Sequence, residues 1–179
     1  GEQIADMGRD HVADISGVTY NSDPPTSGPH FPVWAKKGIY DRVISDGHLI
    51  HSLEHGYIVL SYNCGEKVVF EATDSAKPLT SLKVQPEGSM SWITPQTAPD
   101  VEVELPESFQ SEECKKLARD LANFGKDFER IIVAPRPDLD TKIVLTAWNR
   151  LIKLDSFDAE KIKQFIQVFH NRGPEKTQE

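Results

Sequence analysis

Long apolar runs are missing from this sequence of 179 residues. The longest, such as residues 57–60, fall far short of the about 20 apolar residues that span a bilayer. Hydrophobic residues make up 38% of the chain and charged residues 27%, a balance that is typical of a globular protein and excludes a disordered chain. At this length a chain can bury a full core without a metal or a disulfide to stabilise it.

Positive charge is also scarce. The chain has 20 Lys and Arg residues against 28 Asp and Glu residues, and its net charge is −8. The lysines are spread along the chain and mostly lie beside acidic residues. Because neutralisation of phosphates supplies most of the affinity for nucleic acids, a chain without a basic face is a poor binder of them. We therefore expect no nucleic-acid partner.

Several catalytic motifs are absent. There is no G-x-S-x-G nucleophile elbow, no phosphate-binding loop and no G-x-G-x-x-G fingerprint, so the sequence does not indicate a serine hydrolase or a nucleotide-binding enzyme. The segment 26–28 (T-S-G) lies in a proline turn and not between a strand and a helix, where a nucleophile would be presented. Internal repeats and low-complexity tracts are absent too.

Only two cysteines are present, Cys64 and Cys114, and they do not form a C-x-x-C motif. Three interpretations follow from the residues alone: two buried thiols, one long-range disulfide, or one metal ligand with a bystander. Spacing does not choose between them.

The first 50 residues show little helical or strand periodicity. Prolines and glycines prevent a regular element across residues 21–32. The segment also contains aromatic residues at positions 20, 31, 34 and 40. We therefore expect a long ordered N-terminal loop region that packs on the domain.

The rest of the chain predicts a mixture of strands and helices. Strands are predicted at residues 57–62, 67–71, 82–85, 90–94, 101–104, 131–134 and 142–148, with 151–154 as a continuation of the last one. Ser111 can cap one helix, and a second helix follows residues 155–156 with an apolar stripe from Ile162 to Phe169. Since strands and helices do not alternate regularly, we expect an α+β fold with a mainly antiparallel sheet and two helices packed on it.

Three of the six histidines lie between His48 and His55. His51 and His55 are four residues apart, which on a helix places both imidazoles on one face at metal-chelating distance. On a strand the same two residues would be about 13 Å apart. A shared metal therefore requires a turn of helix before the strand at residue 57.

Glu54 lies between these two histidines in the order H-x-x-E-H. Inverted zinc peptidases have this order, but they continue the helix and need a further acidic ligand downstream. Here Gly56 and a strand follow, so the pattern disfavours a peptidase.

A fourth histidine, His30, follows the proline-rich segment. The alternative to a metal site is that these histidines cap the strand and hydrogen-bond to the backbone. So many imidazoles near a rigid loop favour the metal site, and imidazole ligands suit Cu, Zn, Fe and Ni.

These motifs together resemble the bacterial domain-of-unknown-function family 3105. The resemblance is carried by residues 20–30 (Y-N-S-D-P-P-T-S-G-P-H), 38–40 (G-I-Y) and 51–57 (H-S-L-E-H-G-Y), with further similarity at 8–12, 145–150, 156–158 and 172–174. It implies an extracytoplasmic domain, in the periplasm or on the outer face of the cytoplasmic membrane, with an N-terminal signal or membrane anchor outside this chain.

The resemblance also implies a domain organisation. We expect one domain over residues 1–179, with a family-like part at about 8–174, an insertion at 65–111 and a tail at 175–179. Cys64 and Cys114 would flank the insertion in an oxidising compartment, which favours a disulfide between them.

The histidines that belong to the family-like motifs are His11, His30, His51 and His55, whereas His48 and His170 lie outside them. The resemblance therefore implies a metal centre with these four residues as ligands. Glu54 would be a further ligand or would orient an imidazole.

The leading hypothesis is an extracytoplasmic protein that binds, stores or delivers copper, with zinc as the alternative metal. Its partners would be the metal ion and a metal-handling or membrane protein. We expect binding rather than catalysis, because no nucleophile or separate general base accompanies the histidines. Two alternatives stay open: a metal-dependent enzyme with Glu54 as the base, and a metal-free interaction module.

Overall fold

A computed structural model describes residues 1–65, 91–98 and 103–177. Its strands are β1 (Glu2–Gln3), β2 (Val33–Ala35), β3 (Gly38–Ile39), β4 (Ile58–Tyr62), β5 (Ser91–Ile93), β6 (Ile131–Pro135), β7 (Ile143–Ala147) and β8 (Arg150–Leu154). Its α-helices are α1 (Asp46–Glu54), α2 (Glu112–Ala122) and α3 (Ala159–Phe169). Within these described ranges no helix has the length and apolar character needed to cross a membrane.

Six strands form one mixed sheet in the order β1-β8-β7-β4-β6-β3. The pairings β1–β8, β7–β8 and β4–β7 are antiparallel, whereas β4–β6 and β3–β6 are parallel. Strands β2 and β5 form a separate, parallel two-stranded sheet. The architecture is therefore α+β around a mixed sheet that has more antiparallel than parallel pairings.

The central strands β4, β6 and β7 are buried along their whole length. Alternate side chains of β4 point to opposite faces: Ile58 and Leu60 pack with α2 and α3, whereas Val59 packs with α1. A sheet that is covered on both faces has continuous apolar strands. The face that is covered by α1 is the face that carries the candidate site.

The prediction of two helices was wrong for the described residues, because α1 is a third. All nine residues of α1 are buried. A helix without a solvent face has no apolar stripe, and the stripe is the signal on which the prediction depended. The N-terminal region is also more than a loop, since it contributes β1, β2 and β3.

Residues 151–154 do not continue the preceding strand. A turn at Asn149, with φ 57°, reverses the chain so that β8 pairs antiparallel with β7. The strands predicted at 67–71 and 82–85 lie outside the described residues, as do residues 90, 101 and 102, and residues 103 and 104 form no strand.

The predictions for α2 and α3 agree with the structure. Ser111 caps α2 by accepting a hydrogen bond from the Cys114 N–H, and Asp158 caps α3 in the same way through the Lys161 N–H. Cys64 and Cys114 form a disulfide, which joins the chain after β4 to the first turn of α2. Both cysteines are therefore unavailable as thiolate ligands.

Candidate metal centre

The last turn of α1 carries three of the predicted site residues, His51, Glu54 and His55. The His55 N–H donates to the His51 carbonyl at 3.2 Å, so the helical turn that a shared metal requires is present. Gly56 then adopts φ 82°, a conformation that is open to glycine. This turn ends the helix and leads into β4 within two residues.

The proline-rich segment brings His30 to this helix end and places His11 beside it. The His30 N–H donates to the Asp10 carbonyl at 3.0 Å, and the Val12 N–H donates to the His30 carbonyl at 2.8 Å. His11 and His30 thus pair as a parallel β-bridge. The two histidines are held together by the backbone although they lie in different segments of the chain.

Two of the imidazole rings are oriented by backbone carbonyl groups. Nδ1 of His30 lies 2.8 Å from the Gly28 oxygen, and Nδ1 of His51 lies 2.7 Å from the Phe31 oxygen. A carbonyl oxygen only accepts, so each Nδ1 carries the proton and donates it. In the neutral ring Nε2 is then a free lone pair, which is the form of histidine that binds a metal.

We use the name histidine cluster for the six side chains whose ligand atoms converge here: His11, His30, His51, Glu54, His55 and Glu175. They form two groups of four, within each of which all ligand atoms lie within 4.8 Å of one another. The first group consists of His11, His30, His51 and Glu54, and the second consists of His51, Glu54, His55 and Glu175. His55 therefore belongs with Glu175 and not with His11 and His30.

Some contacts within the cluster are much shorter than that limit. His30 Nε2 lies 3.1 Å from Glu54 Oε2, His51 Nε2 lies 3.1 Å from His55 Nε2, and His55 Nε2 lies 3.5 Å from Glu175 Oε2. Four nitrogen or oxygen ligands around a tetrahedral ion with bonds of about 2.0–2.1 Å are separated by about 3.3 Å. These atoms are thus spaced as ligands of a metal ion are spaced.

The cluster is buried on one side and open on the other. His30, His51 and His55 are fully buried, whereas the side chain of His11 is 48% exposed and that of Glu175 is 38% exposed. Ions can therefore reach the buried nitrogens from the side of residues 11 and 175.

Burial sets the charge of His51. Loss of hydration lowers the pKa of His51 to about 3, against the opposing hydrogen bond to Phe31 and with a further lowering by the neighbouring histidines. The ring is therefore neutral at neutral pH, and no proton competes with a metal for its Nε2.

Glu54 is held in its charged form. Burial raises the pKa of Glu54, but the hydrogen bond with His30 and the positive charge of the surrounding histidines more than offset this, and the pKa is lowered. Arg9 lies on the other carboxylate oxygen, with Nη1 3.7 Å from Oε1. The cluster thus contains an anionic oxygen ligand among neutral imidazoles.

Trp34 forms one wall of the cluster. Its ring centroid lies 4.8 Å from that of His55 and 5.4 Å from that of His51, and the residue is 4% exposed. A large apolar ring against these imidazoles excludes water and strengthens the interaction of a cation with its ligands. Sequence reasoning did not associate Trp34 with the site.

Glu175 is the functional residue that sequence reasoning missed, because it lies in the segment expected to be a tail. Its N–H donates to the Glu54 carbonyl at 3.1 Å. The backbone at Gly173 passes so close to α1 that a Cβ there would lie 2.0 Å from the Glu54 oxygen. Arg130 donates to the carbonyl groups of both His55 and Thr177, at 2.6 and 2.7 Å. The C-terminal segment is thus attached across the end of α1, an arrangement that no local motif encodes.

The two demoted histidines have other roles. His48 donates from Nδ1 to the Val33 carbonyl at 2.8 Å, and His170 donates from Nε2 to the Glu129 carbonyl at 2.7 Å. Neither belongs to the histidine cluster.

The model of the family described as protein of unknown function (DUF3105) matches residues 11–105 and 105–179. No curated protein and no solved structure matches the chain significantly. The matched residues include the whole histidine cluster and nearly all of the chain, and we conclude that the chain belongs to this family.

Proposed function

We propose that this protein binds copper outside the cytoplasm through the histidine cluster, and that it stores or delivers the metal. The observation that carries the proposal is the convergence of imidazole nitrogens and carboxylate oxygens within 4.8 Å. The carbonyl-bound Nδ1 atoms of His30 and His51 add to it, since they fix the lone pairs of both rings before any metal arrives. Such preorganisation lowers the cost of binding.

The choice of copper rests on the donor set and on the compartment. Imidazole and carboxylate ligands without a thiolate suit copper(II), which also binds such sites more tightly than the other divalent first-row metals. The Cys64–Cys114 disulfide supports an oxidising compartment, where such bonds persist and where copper is in the divalent state. Zinc is the alternative metal.

The test is elemental analysis of untagged protein beside a His51→Ala/His55→Ala variant. We expect near-stoichiometric copper in the wild-type protein and its loss in the variant, because His51 belongs to both ligand groups. His170→Ala is the matched control, since it removes a histidine outside the cluster and should keep the metal. Zinc in place of copper would correct the metal. Wild-type protein that holds no metal and takes up none at micromolar concentration would contradict the proposal and favour the interaction module.

Glu54→Gln separates the binding protein from the metal-dependent enzyme. Because Glu54 Oε2 lies 3.1 Å from His30 Nε2, the charged oxygen is placed as a ligand or as the group that orients one. Its neutralisation should weaken copper binding about 10–100-fold, measured by competition with a chelator. Glu129→Gln is the matched control on an exposed residue. Unchanged copper affinity in Glu54→Gln would favour the role of a base.

A further inference from the structure

We infer that the histidine cluster holds two metal ions, one bound by His11, His30 and Glu54 and the other by His51, His55 and Glu175. The inference rests on the proposed function, because it concerns the same centre. It adds a second ion and assigns Glu175 as one of its ligands.

The short contacts divide the cluster into two parts. On one side Glu54 Oε2 lies 3.1 Å from His30 Nε2 and 3.9 Å from His11 Nε2. On the other side His55 Nε2 lies 3.1 Å from His51 Nε2 and 3.5 Å from Glu175 Oε2. Each part offers three ligand atoms at spacings close to the about 3.3 Å expected around one ion.

One ion cannot use all six ligands. Even in an octahedron, opposite ligands at bonds of about 2.1 Å are only about 4.2 Å apart. The six atoms instead form two groups of four within the looser limit of 4.8 Å. A single ion would therefore leave part of the cluster, with at least one buried imidazole, without a metal.

The two residues that the groups share differ in how many ions they can bind. His51 has one available nitrogen, because its Nδ1 donates to Phe31, and that Nε2 is close to His55. Glu54 has two carboxylate oxygens and can bind one ion with each of them. The bridge between the ions is therefore assigned to Glu54, and carboxylate-linked metal pairs are typically about 3.5–4 Å apart.

Arg9 occupies the oxygen that the second ion would need. Its Nη1 is 3.7 Å from Glu54 Oε1, and its side chain is 57% exposed. A cation on a flexible, solvated side chain can be displaced at low cost, since exposed ion pairs contribute little. Arg9 thus neutralises Glu54 in the metal-free protein and gives way to an ion.

Glu175 is held at the cluster by the backbone and does not reach it by chance. Its N–H donates to the Glu54 carbonyl, and Gly173 permits the close approach to α1 that positions it. Arg130 fixes the following segment through the Thr177 carbonyl. A carboxylate with this much backbone support is positioned as metal ligands usually are.

The test is the copper stoichiometry of the full-length, untagged, metal-free protein after equilibrium dialysis against copper(II), with Glu175→Ala and His55→Ala beside it. We expect two coppers per chain in the wild-type protein and one in each variant. Glu129→Ala is the matched control and should keep two. The exposed side chain of Glu175 makes its replacement compatible with folding, so this variant decides the case even where His55→Ala does not fold.

Electron paramagnetic resonance gives an independent readout, because copper(II) ions at this separation are magnetically coupled. The signal per copper should be weaker in the wild-type protein than in Glu175→Ala. A wild-type protein that binds one copper would overturn the second site and leave the proposed function standing. Two coppers that persist in both variants would also overturn it, because the second ion would then lie elsewhere. A wild-type protein that binds none would overturn the proposed function itself.

Discussion

Arg136 and Asp46 form a buried ion pair between the residue that follows β6 and the first residue of α1. Each side chain is only 6% exposed. The same guanidinium also donates to Asp23 Oδ1 at 2.7 Å, so one side chain joins the proline-rich segment to the start of α1. His30 and His51 therefore depend on a common anchor, although neither contacts it.

Arg136→Met should lower the free energy of unfolding of the metal-free protein by about 3–5 kcal/mol, because the carboxylate of Asp46 would stay buried without a partner. Urea unfolding measures the loss. Lys142→Met is the control, since it breaks an ion pair with Glu113 in which the side chains are 38% and 83% exposed and which should contribute about 0–1 kcal/mol. Equal effects of the two substitutions would show that Arg136 is not an anchor.

Gly173→Ala should detach the C-terminal segment from α1. The new Cβ would lie 2.0 Å from the Glu54 oxygen and 2.3 Å from the Gly56 nitrogen, and backbone atoms cannot move aside as a flexible side chain does. We expect a loss of about 1–3 kcal/mol in the free energy of unfolding, measured by urea unfolding, and weaker copper binding through displacement of Glu175. Gly17→Ala, where a Cβ would meet nothing within 4 Å, should change neither property.

His48 should make the metal-free protein less stable in mild acid. Burial lowers the pKa of His48 from 6.5, against the opposing hydrogen bond to Val33. Below pH 6.5 the unfolded chain therefore binds a proton that the folded protein does not, and the free energy of unfolding falls with pH by up to about 1.4 kcal/mol per unit. The loss ends where the folded protein also takes up the proton.

His48→Asn, which keeps a donor near the position of Nδ1, should flatten this dependence. Urea unfolding at several values between about pH 5 and pH 7 gives the two slopes. His51 contributes to both proteins, since its pKa is also lowered, so the comparison of slopes isolates His48. Parallel slopes would show that His48 titrates alike in the folded and unfolded states.

Replacement of both Cys64 and Cys114 by alanine should lower the free energy of unfolding by about 4 kcal/mol. The disulfide closes a loop with a sequence separation of 50, and the value is the chain-entropy estimate for a loop of that length. Copper binding should be unchanged, because the disulfide follows β4 whereas the histidine cluster precedes it. A loss of copper in a variant that remains folded would contradict this separation of the two features.

The sequence predicted the elements whose signals are local. The cap at Ser111 and the stripe of α3 depend on neighbours a few residues apart, and both helices formed as expected. The spacing of His51 and His55 likewise stated the condition for a shared site, a helical turn, although α1 itself was not predicted. Full burial had removed the periodicity that would have revealed it.

Long-range contacts decided the rest of the site. Nothing near Glu175 in the sequence indicates that it meets His55, because that contact depends on the path of the chain after α3. The division of the cluster into two groups has the same origin, since it depends on how the segment with His11 pairs with the segment of His30. Residue types and spacings do not encode such distances.

The cluster draws its residues from positions as far apart as His11 and Glu175. A chain that is synthesised from its N-terminus exposes the first of these histidines long before the last carboxylate exists. Until then the growing chain offers the metal only loose, mobile ligand pairs, so tight capture at the proposed centre has to wait for the completed chain. Metal loading would thus report that synthesis is finished, and a protease that trims a few C-terminal residues would erase the second group while the core remains intact.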